Sequence, residues 1–165
     1  MVIVLMGVSG SGKTTVATRL AAALGWPFLE GDDLHPATNV AKMAASKPLT
    51  DEDRRPWLAD LHARIEATLA AGGNLVVTCS ALKQRYRQAL QVTPSSVRFV
   101  YLHAESALIA ERLRHRQGHF MKPSLLASQL ATLEEPSPTE ALIVDAALAP
   151  EVMVTQIAKA LGLAA

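Results

Sequence analysis

Only one residue of 165 is a cysteine, Cys79, so the chain has no partner for an internal disulfide, and a reducing compartment, the cytoplasm, is expected. No basic start and small-residue cleavage site precede the first apolar run, so a secretory signal is not expected either. Apolar runs fall well short of the roughly 20 residues that cross a bilayer, because charge interrupts even the Ala-rich stretches within about ten residues. A membrane partner is therefore not expected. Aromatic residues make up 4% of the chain, and 16 Lys and Arg nearly balance 15 Asp and Glu. That excludes the broad basic channel with stacking aromatics that a nucleic-acid kinase or binder requires, and any anion site must be local.

Apolar residues are abundant, at 50% of the total. This is enough to cover a core on two faces within one compact domain, residues 1–165. Short apolar runs recur at Val2 to Met6, Phe28 to Leu29, Leu75 to Val77, Val97 to Leu102 and Leu142 to Val144. Most are continuous rather than alternating, which suits strands buried on both faces of a parallel sheet. Between them lie helical spacings: Val16, Leu20 and Leu24; Trp57, Leu61, Ile65 and Leu69; Leu108, Ile109 and Leu113; Val152, Ile157 and Leu161. The alternation predicts a three-layer α/β fold. Two stretches break the rhythm, about 32–57 and about 114–123, and both are read as segments that fold over a site.

Gly7-Val8-Ser9-Gly10-Ser11-Gly12-Lys13-Thr14 matches G-x-x-x-x-G-K-[ST] between an apolar strand and a helix start, the context this phosphate loop requires. Its backbone N–H groups, at the positive end of a helix dipole, form an anion nest. Residues 7–15, ending in Thr15, are expected to bind ATP. Lys13 is expected to be catalytic, reaching the β- and γ-phosphates, and the Thr14 hydroxyl to ligate Mg²⁺ directly. A regulatory GTPase would carry D-x-x-G and N-K-x-D, and neither occurs.

Glu30-Gly31-Asp32-Asp33 puts carboxylates at the carboxyl end of the second strand, where open α/β sheets bind ligands. Glu30 and Asp32, two apart, would share one side of an extended chain. Phosphoryl transfer to an alcohol needs a carboxylate to take the hydroxyl proton and a metal to offset phosphate charge. Asp32 is assigned the first task and Glu30 the metal's outer coordination sphere. The plain alternative is that Asp32 and Asp33 cap a helix beginning near Pro36.

The segments Phe28-Leu29-Glu30-Gly31-Asp32-Asp33-Leu34-His35-Pro36, Asn39, Lys42-Met43 and Pro48-Leu49-Thr50-Asp51-Glu52-Asp53-Arg54-Arg55-Pro56-Trp57-Leu58 resemble the gluconokinase family. Cys79 to Arg87, Gly118-His119-Phe120, Leu125, Ser128-Gln129 and Thr132-Leu133-Glu134 are similar to the family's remaining motifs. The phosphate loop is shared by many kinases, whereas D-x-L-H-P with D-R-x-P-W-L is specific. The resemblance implies transfer of the ATP γ-phosphate to the 6-hydroxyl of D-gluconate, with Mg²⁺. It also implies a P-loop kinase fold like that of shikimate or adenylate kinases, with a five-stranded parallel sheet, a lid and often a homodimer. A shikimate-kinase-like or other hydroxy-acid kinase is the alternative. The chain departs from the family at Glu30, where Asp is usual, and at Ala45-Ser46-Lys47, where a Ser-Gly pair is favoured.

Gluconate carries one carboxylate and a row of hydroxyls, so its pocket needs a cation and hydrogen-bonding groups. Arg54 can grip a carboxylate with its planar fork; a surface ion pair with Asp51 or Asp53 is the alternative. Lys83 and Arg87, four apart on a helix expected to begin at Ser80, would share a face toward substrate or phosphate, with a solvated basic face as the bland reading. Arg85 is read as solvated. His35 is a hydroxyl partner or else a packing residue. Arg112 is assigned to the nucleotide, Arg116 to the lid or the surface, and His119 to the substrate. His62, His103 and Trp57 are read as structural, and Cys79 as a packed residue rather than a nucleophile.

Overall fold

All five residues of strand β1 (Val2–Met6) are fully buried, and their side chains divide between two cores. Val2, Val4 and Met6 face one, Ile3 and Leu5 the other, as the two-residue repeat of a strand requires. This is why the run is continuously apolar. The protein is described by a computed structural model over residues 1–93, 95–115 and 124–164.

After β1 come α1 (Lys13–Leu24), β2 (Phe28–Glu30), a 3-10 turn (Gly31–Leu34), α2 (Ala37–Ala44), α3 (Asp51–Ala70), β3 (Leu75–Thr78), α4 (Gln84–Leu90), β4 (Val97–His103), α5 (Ser106–His115), α6 (Ser124–Thr132), β5 (Ala141–Asp145) and α7 (Pro150–Ala160). The strands form one parallel sheet in the order β2-β3-β1-β4-β5. Helices α1 and α7 pack on the face of Ile3 and Leu5, and α3 and α4 on the face of Val2 and Val4. The three-layer α/β class expected from the apolar runs is the observed one, and each run is the core of a strand.

A third cluster, Val8, Leu82, Ile109, Leu113 and Leu126, lies under the phosphate loop and joins it to α5 and α6. Gly10, at φ 86°, is pressed so closely on this cluster that a Cβ would lie 3.1 Å from carbons of Ile109 and Leu113. The positive φ calls for glycine there, and a Cβ would also have to push back the Ile109 and Leu113 side chains.

Three local expectations are corrected. The helix after β3 begins at Gln84, not Ser80: Ala81 is in the left-handed region at φ 45°, and the chain turns to bury Leu82 in the third cluster. Lys83 is consequently the extended N-cap of α4 and does not share a helical face with Arg87. Asp32 is not in extended chain beside Glu30, because the 3-10 turn begins at Gly31. Segment 32–57 also holds more helix than its broken rhythm suggests. The second helix in it, α3, starts at a capping box in which Thr50 accepts from the Asp53 N–H and Asp53 accepts from the Thr50 N–H. Between the two helices Ser46 sits at φ 59°, a conformation that suits the glycine favoured nearby in the family pattern.

Gly31 is the tightest point of the sheet edge, where an added Cβ would stand 2.0 Å from the Thr78 carbonyl oxygen. Gly31→Ala is expected to destabilise the fold by about 1–3 kcal/mol through backbone displacement, read as a lower urea midpoint at unchanged slope.

Candidate active site

The carboxyl ends of β1, β2 and β3 open into a cleft of about 230 Å³. The phosphate loop forms one wall through Ser9, Gly10, Gly12, Lys13, Thr14 and Thr15. Glu30, Asp32, His35 and Arg54 form the opposite wall, with Met43, Leu49 and Ser80 between the polar groups. The sequence-predicted loop and the predicted acids are thus brought together around one space. This is the end of the sheet at which parallel α/β folds bind ligands.

Within the loop, Lys13 Nζ donates to the carbonyls of Gly7 and Val8, at 3.0 and 3.1 Å. The Ser9 N–H donates to Gln129 Oε1 at 2.6 Å, and the buried Ser11 hydroxyl has no hydrogen-bond partner among the described residues. Arg112 on α5 lines the same cleft and braces it, donating to the carbonyl of Ser11 at 3.3 Å and of Ala146 at 2.7 Å.

On the β2 side, the Thr14 hydroxyl donates to Glu30 Oε2 at 2.7 Å, and the Thr78 hydroxyl donates to Glu30 Oε1. Hard oxygen donors from three elements therefore converge beside the phosphate loop, a donor chemistry that fits a magnesium ion. Asp32 lines the cleft from the 3-10 turn, while Asp33 beside it is exposed. Neither acid caps α2, whose N-cap is Pro36.

The wall opposite the loop is built on Trp57. Its indole N–H donates to the Gly31 carbonyl at 2.7 Å, and its ring stacks on His35 at 4.1 Å between centroids and 18° between planes. Trp57 is fully buried, as its helical spacing predicts, and it also sets the His35 ring plane. Burial, with the Arg54 charge as the second cause, lowers the His35 pKa to about 4, so the ring is neutral in ordinary conditions. Arg54 donates to the Leu49 carbonyl at 3.3 Å and lies over the Tyr86 ring at 5.7 Å. Among the described residues its buried Nε has no partner, and the ion pair with Asp51 or Asp53 weighed for it is absent. Asp53 pairs with Lys42, and Asp51 with Lys83 and Arg85.

Lys83 and Arg87 are not brought into the cleft. Lys83 is held by Asp51, whose carboxyl is lowered to about 2 by the Tyr86 hydroxyl first and then by Lys83 and Arg85. Arg87 is buried, donates to the carbonyls of Ala81 and Glu134, and pairs with Glu140 at 3.3 Å, tying α4 to the chain before β5. His119, Arg116 and most of segment 114–123 lie outside the described residues. Cys79 is fully enclosed, and burial pushes its thiol up to about 12, leaving negligible thiolate for nucleophilic chemistry.

Several groups at the site were not singled out for a role from the sequence. Thr78 and Gln129 bond to site groups, and Met43 and Leu49 furnish apolar lining. Ser128-Gln129 stood within a motif of the family pattern; Thr78 closes an apolar run and gives no sign of a polar task.

The site and sheet together are those of a P-loop kinase. A profile of the AAA domain family matches residues 2–136. A gluconokinase from Gluconobacter oxydans is 53% identical over 141 residues, 86% of this chain and 79% of that protein. The crystal structure of a gluconokinase from Sinorhizobium meliloti superposes with a TM-score of 0.86 at 47% identity, covering 97% of this chain and 90% of that one. An unliganded sugar kinase from Janibacter superposes with a TM-score of 0.92 at 44% identity, over 99% and 95% of the two chains. A shikimate kinase from Bacteroides thetaiotaomicron shares the fold at a TM-score of 0.74 and only 19% identity, covering 99% of each chain. The chain belongs to the gluconokinase family.

The neutral His35 has a consequence for stability. Its pKa is about 4 in the fold against 6.5 when exposed, so between those values the unfolded chain binds more protons, and stability falls as pH drops through that window. Asp51 and Asp53, lowered from 3.8 to about 2, contribute losses only below it. Urea midpoints measured from pH 7 to 4 are expected to decline in the native protein and to decline less in His35→Gln.

Proposed function

We propose that the protein transfers the γ-phosphoryl group of ATP to the 6-hydroxyl of D-gluconate, giving 6-phospho-D-gluconate and ADP. The observation that carries this reading is Arg54: a half-buried guanidinium whose enclosed Nε has no hydrogen-bond partner among the described residues, facing the same cleft as the phosphate loop, Asp32 and His35. It suits an acceptor with a carboxylate at one end and a hydroxyl at the other.

In this reading the backbone N–H groups of residues 7–15 hold the nucleotide phosphates, and Arg112 keeps the loop in shape. Lys13 exchanges its loop carbonyls for phosphate oxygens and offsets the charge that develops on them. Thr14 would hold a magnesium ion and Glu30 its water shell, and an ion held there would supply positive charge to offset that of the phosphates. Arg54 binds the gluconate carboxylate and His35 a hydroxyl, which aligns the far end of the acceptor with the phosphate loop. Asp32 accepts the 6-hydroxyl proton as the new oxygen–phosphorus bond forms and the bond to the ADP oxygen breaks. Water exclusion is assigned to segment 114–123, with His119 toward the substrate. The cytoplasm is taken as the place of work, a reducing compartment compatible with a chain whose single cysteine, Cys79, is a free thiol.

The direct test offers Mg·ATP with D-gluconate, its epimers, shikimate, glucose or AMP, and follows ADP and product mass. Phosphorylation of gluconate alone is expected; an inert gluconate beside another consumed acceptor overturns the substrate assignment. Asp32→Asn is expected to lower kcat about 10²–10⁴-fold with ATP binding retained, as loss of a proton acceptor predicts. Arg54→Ala should act differently, raising the gluconate KM by about tenfold to a hundredfold and leaving the ATP KM near its native value.

A further inference from the structure

The stack on Trp57 fixes the plane of the His35 ring but not its orientation within that plane. A half-turn about the Cβ–Cγ bond would exchange Nδ1 with a carbon and keep the stack. Asn39, on α2, breaks this ambiguity. Its side chain is 3% exposed, and Nδ2 donates to the Asp53 carbonyl at 2.7 Å while standing 3.4 Å from His35 Nδ1. The first bond identifies the amide nitrogen, because a backbone carbonyl only accepts. The second hydrogen of that nitrogen then meets Nδ1, and Nδ1 must offer a lone pair. A neutral imidazole carries one proton, so it sits on Nε2.

We infer that Asn39 is a positioning residue: its amide holds His35 in the Nε2–H tautomer, so that the ring presents an N–H donor rather than a lone pair to the acceptor in the cleft. The inference rests on the assignment of His35 to the acceptor. A donor at that point matches an oxygen lone pair on a hydroxyl or carboxylate of a polyhydroxy acid. It complements Arg54, which only donates, and leaves acceptance of the hydroxyl proton to Asp32. The chain of contacts also ties donor orientation to α3, because the carbonyl that fixes the Asn39 amide belongs to Asp53, the residue preceding Arg54. Burial and the Arg54 charge keep the ring neutral, the one-proton state on which the tautomer argument depends.

The test is spectroscopic first. In the ¹⁵N-labelled full chain at neutral pH without acceptor, long-range proton–nitrogen correlations of the His35 ring, assigned by their loss in His35→Gln, are expected to show a protonated Nε2 and a bare Nδ1. A protonated Nδ1, or a ring averaging between tautomers, overturns the inference without reference to any substrate. Asn39→Asp is then expected to draw the proton to Nδ1 and raise the KM for gluconate about tenfold, with the KM for Mg·ATP changed less than about twofold. Asn39→Ala, which removes the amide without burying a charge, should give a mixed tautomer and a smaller rise in the same KM. A moved tautomer with an unchanged gluconate KM in both variants sinks the positioning role. If the native protein phosphorylates another acceptor and leaves gluconate untouched, the substrate assignment fails while the spectrum still decides the tautomer, and the KM comparison is made with the acceptor consumed.

Discussion

Gly31 is the residue on which the site is hung. Its N–H donates to the Thr78 hydroxyl at 3.1 Å, its carbonyl accepts from the Trp57 indole, and its Cα lies against the Thr78 carbonyl with no room for a side chain. The first contact secures the end of β2 against β3, and the second docks α3 against that junction. Glu30 and Asp32 flank the glycine and are aimed by it, one toward Thr14 and the other into the cleft. Because both backbone polar groups of this buried residue are satisfied by side chains from other elements, the sheet edge and the site cannot be assembled separately.

Charge is distributed around this frame with a clear division. The acids of the first turn of α3 lie at the positive end of its dipole and gather the nearby cations: Asp51 takes Lys83, Arg85 and the Tyr86 hydroxyl, and Asp53 takes Lys42. Arg54 follows them in sequence but turns to the cleft, where its contacts are a carbonyl and an aromatic face. A carboxylate arriving there meets a guanidinium whose charge no carboxylate among the described residues already neutralises. Lys83 and Arg87 look equivalent to Arg54 in composition, yet they are bound into structural pairs, one at the N-cap of α4 and the other within the helix.

Much of this was legible in the chain. The phosphate loop is a local motif whose glycines, lysine and threonine act through adjacent backbone, so spacing alone locates it. The strands are legible because burial on both faces leaves no polar residue within a run such as Val2 to Met6. What escaped is long-range or conformational. Lys83 and Arg87 have helical spacing, and only the left-handed turn at Ala81 and the burial of Leu82 show that the helix starts too late for that spacing to operate. Thr78 and Gln129 reach site partners 48 and 120 residues away in sequence, and such pairings leave no periodic trace. Asn39 is fixed by the carbonyl of Asp53, and backbone carbonyls are alike in every sequence.

The bonds from Lys13 to the carbonyls of its own loop have a bearing on discrimination among anions. A ligand entering the nest does not meet an idle ammonium group; it competes with loop carbonyls already in place. The net gain is an exchange energy, smaller than the gross attraction, and an ion that satisfies the lysine but few of the surrounding N–H groups gains little over the empty loop. Polyphosphate, which engages the lysine and the backbone donors together, gains from both. The loop thus acts as a coincidence filter, in which selectivity over the small inorganic anions of the surrounding solution comes from a competing internal ligand as much as from the shape of the nest.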